Sequence, residues 1–183
     1  ALMGENGAGK STLIKVLTGV EEFETGEIMI AGCDHAIINR SPQEAQNRGI
    51  STVYQEVNLC PNLTVAENLF IGREPRKGGL IDWKTMNKKA SKLLQDLDIH
   101  ADVTQTIDNY SIAIQQMVAI ARAVDMSAMV LILDEPTSFL DDGEVEKLFN
   151  LMRRLKSEGV GIIFVTHFLE QVSAVCDKIT VLR

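Results

Sequence analysis

The chain has 183 residues, enough for one α/β domain with a core of its own. It carries 18 basic against 25 acidic side chains, which argues against a nucleic-acid-binding domain because such domains are usually basic. The apolar run at residues 128–133 is far shorter than a membrane span and predicts a buried strand. Cys33, Cys60 and Cys176 lack metal-ligand spacing and are interpreted as reduced thiols of a cytosolic protein.

The first part of the chain predicts a strand, a glycine-rich loop and a helix in direct succession. Residues 1–3 are interpreted as the end of the strand and residues 4–9 as the loop. The helix is predicted from Lys10 to about Thr18, and Gly19 is placed to end it.

Two further strands and a short helix are predicted next. The strands cover residues 27–31 and 50–54. Between them, residues 41–44 have the sequence Ser-Pro-Gln-Glu, a capping box with proline at the first helical position. This pattern predicts that a short helix begins there.

Strand signals fade between about residues 59 and 110, and this stretch is predicted to be a mostly helical insert. Residues 64–67, Thr-Val-Ala-Glu, form a second capping box and open a short helix. A longer helix is indicated by apolar residues that share one helical face: Met86, Ala90, Leu93, Leu94 and Leu97. The lysines around this helix are interpreted as its solvated face: Lys84, Lys88, Lys89 and Lys92.

The last part of the chain returns to alternating strands and helices. Helices are predicted at about residues 111–124, at 144–157 and from 169, and strands at 130–133, 161–165 and 178–182. Strands that alternate with helices imply an α/β fold, with a largely parallel sheet flanked by helices on both faces.

The loop at residues 4–11 has the sequence Gly-Glu-Asn-Gly-Ala-Gly-Lys-Ser, which matches the phosphate-binding P-loop pattern. Its small residues let backbone N–H groups curl around phosphate oxygens, and the following helix adds the positive end of its dipole. Lys10 is placed to bridge the β- and γ-phosphates, and the Ser11 hydroxyl to bind Mg²⁺. By itself the loop predicts nucleoside triphosphate binding and does not distinguish kinases, GTPases and motor ATPases.

Two acids follow the buried strand predicted at residues 130–133. Because ligands bind at the carboxyl edge of open parallel sheets, Asp134 and Glu135 are expected beside the glycine-rich loop. Asp134 is predicted to hold Mg²⁺, directly or through water, and Glu135 to polarise an attacking water.

Five motifs in this order resemble those of the ATPase domains of ABC transporters. They are the P-loop, Val53–Glu56 as the Q-loop, Tyr110–Gln116 as the signature, Asp134–Asp141 as the Walker B motif and D-loop, and Phe164–His167 as the switch-histidine loop. The resemblance covers the whole chain and implies a P-loop NTPase fold. It implies one ATP-binding domain over residues 1–183, truncated at both ends, with a helical subdomain at residues 59–110 inserted after the Q-loop.

The resemblance also implies the site. The residues expected to bind ATP are Gly4, Glu5, Asn6, Gly7, Ala8, Gly9, Lys10, Ser11, Thr12, Ser111 and Asp141. The expected Mg²⁺ ligands are Ser11, Gln55 and Asp134, and the expected catalytic residues are Glu135, His167 and Gln55. In this scheme His167 contacts the γ-phosphate, Gln55 bonds the metal or the attacking water, and Ser111 acts on ATP held by a second ATPase domain.

The signature departs from the family pattern, because Ile112, Ala113 and Ile114 replace its two glycines and its glutamine. Phe139 replaces the small residue that is usual in the D-loop. These bulkier side chains weaken the expectation of tight closure on ATP, although Ser111 retains its hydroxyl. The strand with the adenine-stacking aromatic residue is expected before residue 1, and the second ATPase domain after residue 183.

At a finer level the chain resembles the first ATPase domain of bacterial monosaccharide importers of the ribose, galactose and xylose group, with galactofuranose-type features at residues 54–59 and 71–75. This implies a peripheral protein on the cytoplasmic face of the inner membrane. Its expected partners are permease subunits and, indirectly, a periplasmic sugar-binding protein, but no nucleic acid. Four apolar residues either pack internally or form an exposed docking patch: Leu59, Leu63, Val65 and Leu69.

Three other functions share these motifs. A soluble ABC ATPase of DNA repair or chromosome structure carries a long coiled coil, and no sustained heptads occur in the 100 residues from Lys10 to Tyr110. A translation-factor ATPase is expected to carry a basic arm, which the acidic balance disfavours. A non-catalytic regulatory domain is opposed by intact Lys10, Asp134, Glu135 and His167, and favoured by the altered signature.

Overall fold

The computed structural model describes residues 1–31, 36–55 and 58–183. In chain order the strands are β1 (Leu2–Gly4), β2 (Ile50–Val53), β3 (Arg76–Lys77), β4 (Leu80–Ile81), β5 (Val130–Asp134), β6 (Gly161–Val165) and β7 (Thr180–Leu182). The α-helices are α1 (Lys10–Leu17), α2 (Pro42–Asn47), α3 (Val65–Phe70), α4 (Trp83–Asp96), α5 (Ile112–Asp125), α6 (Asp142–Ser157) and α7 (Leu169–Val175). A 3₁₀ turn spans Ile107–Asn109.

Five of the strands form one parallel sheet in the order β2-β5-β6-β1-β7. Within it β5 lies between β2 and β6, and Leu131, Ile132 and Leu133 are completely buried. Helices cover both faces of the strand, so its residues are apolar without alternation. The predicted parallel α/β sheet is confirmed.

The carboxyl ends of three strands meet at one edge of this sheet. β1 ends at Gly4, β5 ends at Asp134, and β6 ends at Val165, which pairs with Asp134 in the register. The loops that follow these strand ends contain most of the site residues predicted from the sequence. The fold therefore brings three separate segments of the chain to one place.

Helices cover the sheet with two apolar cores. On one face, Ile14 of α1 belongs to the same core as Ile132 and Val165. On the other face, Leu133 and Phe164 belong to a larger core that residues of α3, α4, α5 and α6 complete. The helical insert therefore shares its core with the sheet.

The predicted amphipathic helix is α4, and it buries Met86, Ala90 and Leu94. Its N-cap residue Asp82 accepts hydrogen bonds from Thr85, at 3.0 Å from the backbone N–H and 2.7 Å from the hydroxyl. All four lysines around α4 are exposed, which confirms the predicted solvated face. None of the helices in the described ranges is long and apolar enough to cross a bilayer.

Two capping boxes were predicted, and one of them forms completely. Thr64 Oγ1 accepts from the Glu67 backbone N–H at 3.2 Å, and Glu67 Oε2 accepts from the Thr64 N–H at 2.8 Å. At α2, Ser41 accepts from the Glu44 N–H, but the Glu44 carboxylate accepts from the N–H of Arg40. The capping box predicted at α2 is therefore wrong in one of its two bonds. The Glu44 carboxylate accepts from the N–H of Arg40, the residue before the N-cap, instead of the N–H of Ser41.

The strand predicted at residues 27–31 is wrong over its described length. Ile28 forms an isolated bridge with Ile37, in which the Ile37 N–H donates to the Ile28 carbonyl at 2.8 Å. Met29 is 66% exposed. A regular strand needs a continuous ladder with a neighbour, and one bridge does not supply it. Residues 32–35, with Cys33 and His35, lie outside the described residues.

A small hairpin formed by β3 and β4 interrupts the mostly helical insert, and the sequence prediction missed it. Arg76 pairs with Ile81 and Lys77 with Leu80, so only Gly78 and Gly79 connect the strands. Both glycines have positive φ, 61° and 85°, as the favoured two-residue hairpin turn requires. The Gly-Gly pair between short apolar and basic segments was the available signal.

Candidate active site

The glycine-rich loop connects β1 to α1 at the carboxyl edge of the sheet. Gly7 and Gly9 have φ values of 87° and 94°, in the left-handed region that other residues rarely adopt. Gly9 is the N-cap residue of α1 and has no side chain to cap it. The first backbone N–H groups of this helix therefore point into the loop as donors for an anion.

Lys10 lies across the opening of this loop. Its Nζ donates hydrogen bonds to the Gly4 carbonyl at 2.8 Å and to the Glu5 carbonyl at 3.0 Å. Two backbone carbonyls thus hold the ammonium group against the start of the loop. The arrangement concentrates positive charge at one end of the site.

Asp134 and Glu135 face this positive charge from the end of β5. Burial raises the pKa of the Asp134 carboxyl above its ordinary value, Glu135 raises that pKa further, and Lys10 partly lowers it. Lys10 and Asp134 line the same cavity, so the lysine and the aspartate interact electrostatically. The local field therefore favours a cation beside Asp134.

Glu135 has an unusual backbone for a glutamate, with a φ of 47°. Its N–H donates to the Val165 carbonyl at 2.9 Å, which ties the turn after β5 to the end of β6. The Ser138 hydroxyl donates to its carbonyl oxygen at 3.1 Å and contacts Oε2 at 3.3 Å. Two hydrogen bonds thus hold the backbone of Glu135, and Ser138 also contacts its carboxylate.

His167 lies opposite that carboxylate, two residues after the end of β6. Its Nδ1 is 3.3 Å from Glu135 Oε1, and its side chain is 56% exposed against 22% for Glu135. The imidazole ring also rests on Phe168, with 4.0 Å between ring centroids. An acid and an imidazole held together at the mouth of a cavity can orient and exchange protons with a bound water.

All these groups line one open cavity of about 800 Å³. Its lining consists of Gly4, Glu5, Asn6, Gly7, Gly9, Lys10, Ser11, Thr12, Gln55, Asp134, Glu135 and His167. The fold therefore brings together twelve of the fifteen residues predicted for the site. Ala8 instead lines an adjacent, mostly apolar cavity of about 930 Å³, and its N–H donates to the Glu5 carbonyl at 3.1 Å.

Comparison with known proteins shows the family of the chain that forms this cavity. Residues 1–138 match the family model described as ABC transporter. The chain belongs to the ABC transporter family. Its Q-loop residue Gln55 reaches the cavity from the end of β2, while the next residue of that motif, Glu56, lies outside the described residues.

Several bacterial proteins of this ABC transporter family resemble the whole chain. It is 57% identical over 183 residues to the galactofuranose transporter ATP-binding protein YtfR of Escherichia coli strain K12. It is 51% identical over 184 residues to the fructose import ATP-binding protein FruK of Bifidobacterium longum. It is 45% identical over 185 residues to the ribose import ATP-binding protein RbsA of Geobacillus kaustophilus. The chain is covered completely in each match but spans only 36–37% of the relatives' length.

Solved ABC transporter structures share the fold. One is an ATP-binding cassette in its ADP conformation, with a TM-score of 0.83 and 28% identity over 99% of this chain and 74% of that one. Another is a dimeric cassette in a post-hydrolysis state bound to ADP and Pi, with a TM-score of 0.76 and 26% identity over 100% of this chain and 79% of that one. The predicted P-loop NTPase fold is therefore confirmed.

Two predicted site residues of the ABC transporter motifs lie away from the cavity. Ser111 is the exposed N-cap residue of α5, and its hydroxyl accepts from the Ile114 N–H at 3.5 Å. Asp141 caps α6, where Oδ1 accepts from the Glu144 N–H at 2.8 Å. Each already has a local role in starting a helix. Their contact with a nucleotide held by another domain stays a prediction.

The predicted metal ligands of this ABC transporter chain meet in the cavity. Ser11, Gln55 and Asp134 offer a hydroxyl, an amide and a carboxylate oxygen, the hard donors that Mg²⁺ prefers together with water and phosphate. The donor set therefore fits this ion. Among the described residues, no group of three His, Cys, Asp or Glu side chains forms a site for other metals.

Sequence reasoning missed a partly buried hydrogen-bond network that joins the loops after β5 and β6. Gln171 of α7 accepts hydrogen bonds from Thr137, after the acids, and from Thr166, before the histidine. Thr137 and Thr166 lie inside recognised motifs, but Gln171 lies beyond them and no local pattern marks it. Only the folded arrangement shows that it joins the two loops.

Proposed function

We propose that this chain is an ATP-binding and ATP-hydrolysing domain that powers monosaccharide import. The observation that carries the proposal is the convergence of Lys10, Asp134, Glu135 and His167 on one cavity at the end of the sheet. Its substrate class rests on the relatives, which are import ATP-binding proteins for galactofuranose, fructose and ribose. The same names favour transport over DNA repair, translation or a purely regulatory role.

The loop and Lys10 bind the phosphates of ATP in this proposal. Gly7 and Gly9 turn the backbone so that N–H groups face the cavity, and the first turn of α1 adds its dipole. Lys10 exchanges its two carbonyl acceptors for phosphate oxygens, which are stronger acceptors because they are charged. Thr12 and Ser11 complete the lining of this end.

Ser11, Gln55 and Asp134 hold Mg²⁺ beside the phosphates. When bound, this ion neutralises charge on the phosphate oxygens. Asp134 is suited to the role because burial already makes its ionised form costly without a neighbouring cation. Binding of the ion should therefore relieve an electrostatic cost that the protein otherwise bears.

Glu135 and His167 act on the attacking water. Because Asp134 is committed to the metal, Glu135 is the nearest free carboxylate, and its orientation is fixed by Ser138 and His167. Glu135 orients the water and draws its proton away, while His167 bridges that carboxylate and the γ-phosphate. Gln55, which lines the same cavity, bonds the metal or the attacking water.

A second ATPase domain completes the site in this proposal. Ser111 and Asp141 lie outside the cavity at exposed helix starts, where they can face the ATP of another domain. The chain spans 36% of the galactofuranose relative, so that relative has room for another domain of this size. We regard residues 1–183 as one ATP-binding domain in which residues 59–110 form the helical subdomain.

The helical subdomain is the proposed contact with the permease. Val65 and Leu69 are completely buried and pack internally, whereas Leu59 is half-buried and Ile71 is 43% exposed. Fewer apolar residues are therefore available for docking than the sequence pattern alone indicated. Docking there places the domain at the cytoplasmic face of the inner membrane, served indirectly by a periplasmic sugar-binding protein and without direct contact to the sugar.

The test is ATP binding and hydrolysis by the full-length protein, followed by sugar uptake with its permease. Lys10→Ala should weaken Mg-ATP binding by about 1.5–3 kcal/mol in calorimetry, because a hydrogen bond to a charged group is lost. Lys147→Ala, an exposed lysine of α6, is the matched control. Equal affinities for both variants would refute the phosphate assignment, and ATP hydrolysis that no monosaccharide stimulates would refute the import assignment.

A further inference from the structure

One exposed stretch of the chain has a net charge opposite to that of the rest. Residues 76–92, which we call the basic hairpin surface, cover β3, β4 and most of α4. They carry six basic side chains and one acidic side chain, while the other 166 residues carry 12 basic and 24 acidic ones. An acidic protein with a concentrated basic face is built to meet an anionic partner there.

The cations of this surface are available for that partner. Arg76, Lys77, Lys84, Lys88, Lys89 and Lys92 are all exposed. In the part of the chain that the structure describes, none of the six is in an ion pair. The single acid, Asp82, is occupied in capping α4 through Thr85. The six positive charges are therefore not neutralised by ion pairs among the described residues.

Large apolar side chains lie exposed among these cations. Leu80 is 77% exposed, Trp83 50% and Ile81 36%. Lys77 pairs directly with Leu80 and Arg76 with Ile81, so each face of the hairpin carries one basic and one apolar side chain. A tryptophan and aliphatic side chains ringed by lysine and arginine are the composition that suits the interface of a lipid bilayer.

The shape of the surface also favours a flat partner over a peptide in a groove. A Cβ atom built on Gly78 or Gly79 would meet nothing within 4 Å, so the hairpin tip projects into open space. The tip is nevertheless held in place, because the Asp82 N–H donates to the Pro75 carbonyl at 2.7 Å across its base. A projecting, anchored tip can enter a headgroup layer without first becoming ordered.

We propose that the basic hairpin surface docks on anionic phospholipid headgroups. Lys84, Lys88 and Lys92 recur every four residues and form a stripe along α4 that follows the lipid surface. Leu80 and Trp83 enter the boundary between headgroups and acyl chains. This contact orients the domain towards the bilayer independently of any protein partner.

The experiment measures vesicle binding by the full-length protein. Vesicles of phosphatidylcholine alone are compared with vesicles in which about a third of the lipid is phosphatidylglycerol, a fraction that gives a substantial negative surface potential. Binding is expected only to the anionic vesicles and should weaken as salt shortens the Debye length. Trp83, the single tryptophan of residues 1–183, should shift its fluorescence to the blue, and the difference between the spectra of the wild type and Trp83→Phe should isolate that shift.

Two variants separate charge from apolar insertion. Lys84→Gln with Lys88→Gln should weaken vesicle binding roughly 30-fold, because each basic residue near such a surface contributes about fivefold. Leu80→Ser should weaken it roughly tenfold through lost burial. The matched controls change equal groups elsewhere: Lys147→Gln with Lys178→Gln for charge, and the exposed Met29→Ser for apolar area.

The outcomes decide the proposal. Selective loss in the hairpin variants, with control variants that bind like the wild type, supports it. Absence of binding to anionic vesicles, or equal losses in hairpin and control variants, overturns it and leaves this surface to an acidic protein partner. Because all altered positions are exposed, matching thermal melts are expected for every variant and show that folding is intact.

Discussion

The Thr137 hydroxyl donates a hydrogen bond of 2.7 Å to Gln171 Oε1, although the two residues are 34 positions apart. Thr166 Oγ1 lies 3.4 Å from the same oxygen. Thr137 and Thr166 are 4% and 1% exposed, so this oxygen is the acceptor for two buried hydroxyls. Gln171 thus couples the loop that carries Glu135 to the loop that carries His167.

Gln171→Leu should therefore act as a change in positioning. Removing the acceptor leaves the Thr137 hydroxyl unpaired, at a cost of about 1–3 kcal/mol in the free energy of unfolding. We expect kcat for ATP hydrolysis to fall while the affinity for Mg-ATP changes little, since Gln171 does not line the cavity. Glu170→Leu, at an exposed neighbouring position, is the control. Unchanged kcat in Gln171→Leu would show that the link has no role in catalysis.

Glu135→Gln tests the proposed base. The amide keeps the size of the side chain and one acceptor oxygen but loses its charge and basicity. Single-turnover hydrolysis should fall by roughly 10²–10⁴-fold, the usual range for losing a general base, while nucleotide affinity persists. ATP should then accumulate on the protein in a closed state. Near-normal turnover would move the catalytic role to His167 or to another domain.

Asp134→Asn should stabilise the protein at neutral pH when Mg²⁺ and nucleotide are absent. Because burial and Glu135 raise the folded-state pKa of Asp134, this group contributes stability below the ordinary aspartate pKa. That contribution is lost as the pH rises through the raised pKa, whereas asparagine stays neutral throughout. Calorimetry in EDTA should show a higher Tm for the variant at neutral pH.

The pH dependence of that Tm difference provides the control. The advantage of Asp134→Asn should shrink as the pH approaches about 4, the ordinary aspartate pKa. The exposed Glu22→Gln should show no comparable change. An equal Tm difference at both pH values would mean that the stabilisation does not come from the ionisation of Asp134.

Gly4→Ala should destabilise the fold through a steric conflict. A Cβ atom on Gly4 would lie 2.6 Å from the Leu182 carbonyl oxygen, in the register pair that joins β1 to β7. We expect a loss of about 1–3 kcal/mol in the free energy of unfolding, the range for overpacking. Gly159→Ala, where φ is 93° but the space is open, isolates backbone strain alone. Equal losses in the two variants would show that the contact with Leu182 relaxes freely.

The sequence predicted most of the site because its geometry follows from strand ends. Once β1 and β5 are parallel neighbours of β6, the residues after them must share an edge, and Lys10, Asp134 and His167 must meet. Each of these residues also lies in a motif that local chemistry explains. The fold prediction succeeded because apolar runs marked the longer strands of the sheet and an amphipathic pattern marked α4.

The features that the sequence did not predict depend on contacts between residues far apart in the chain or on very short strands. Gln171 has no local signature, because its role exists only when α7 packs beside the turn after β5. The failed strand at residues 27–31 shows the opposite error, in which a short apolar run suggests a strand but forms one bridge instead of a ladder. The hairpin of β3 and β4 has strands of two residues, too short for a period to appear.

The backbone conformation of Glu135 lowers the stability of the fold, while the proposed hydrolysis of ATP needs its side chain. A glutamate held at a φ of 47° costs about 1–3 kcal/mol that glycine would not incur. A laboratory screen for heat resistance alone should therefore enrich glycine here, and those survivors should be the variants that no longer hydrolyse ATP. Retention of glutamate in such a screen would require that ATP turnover itself be selected.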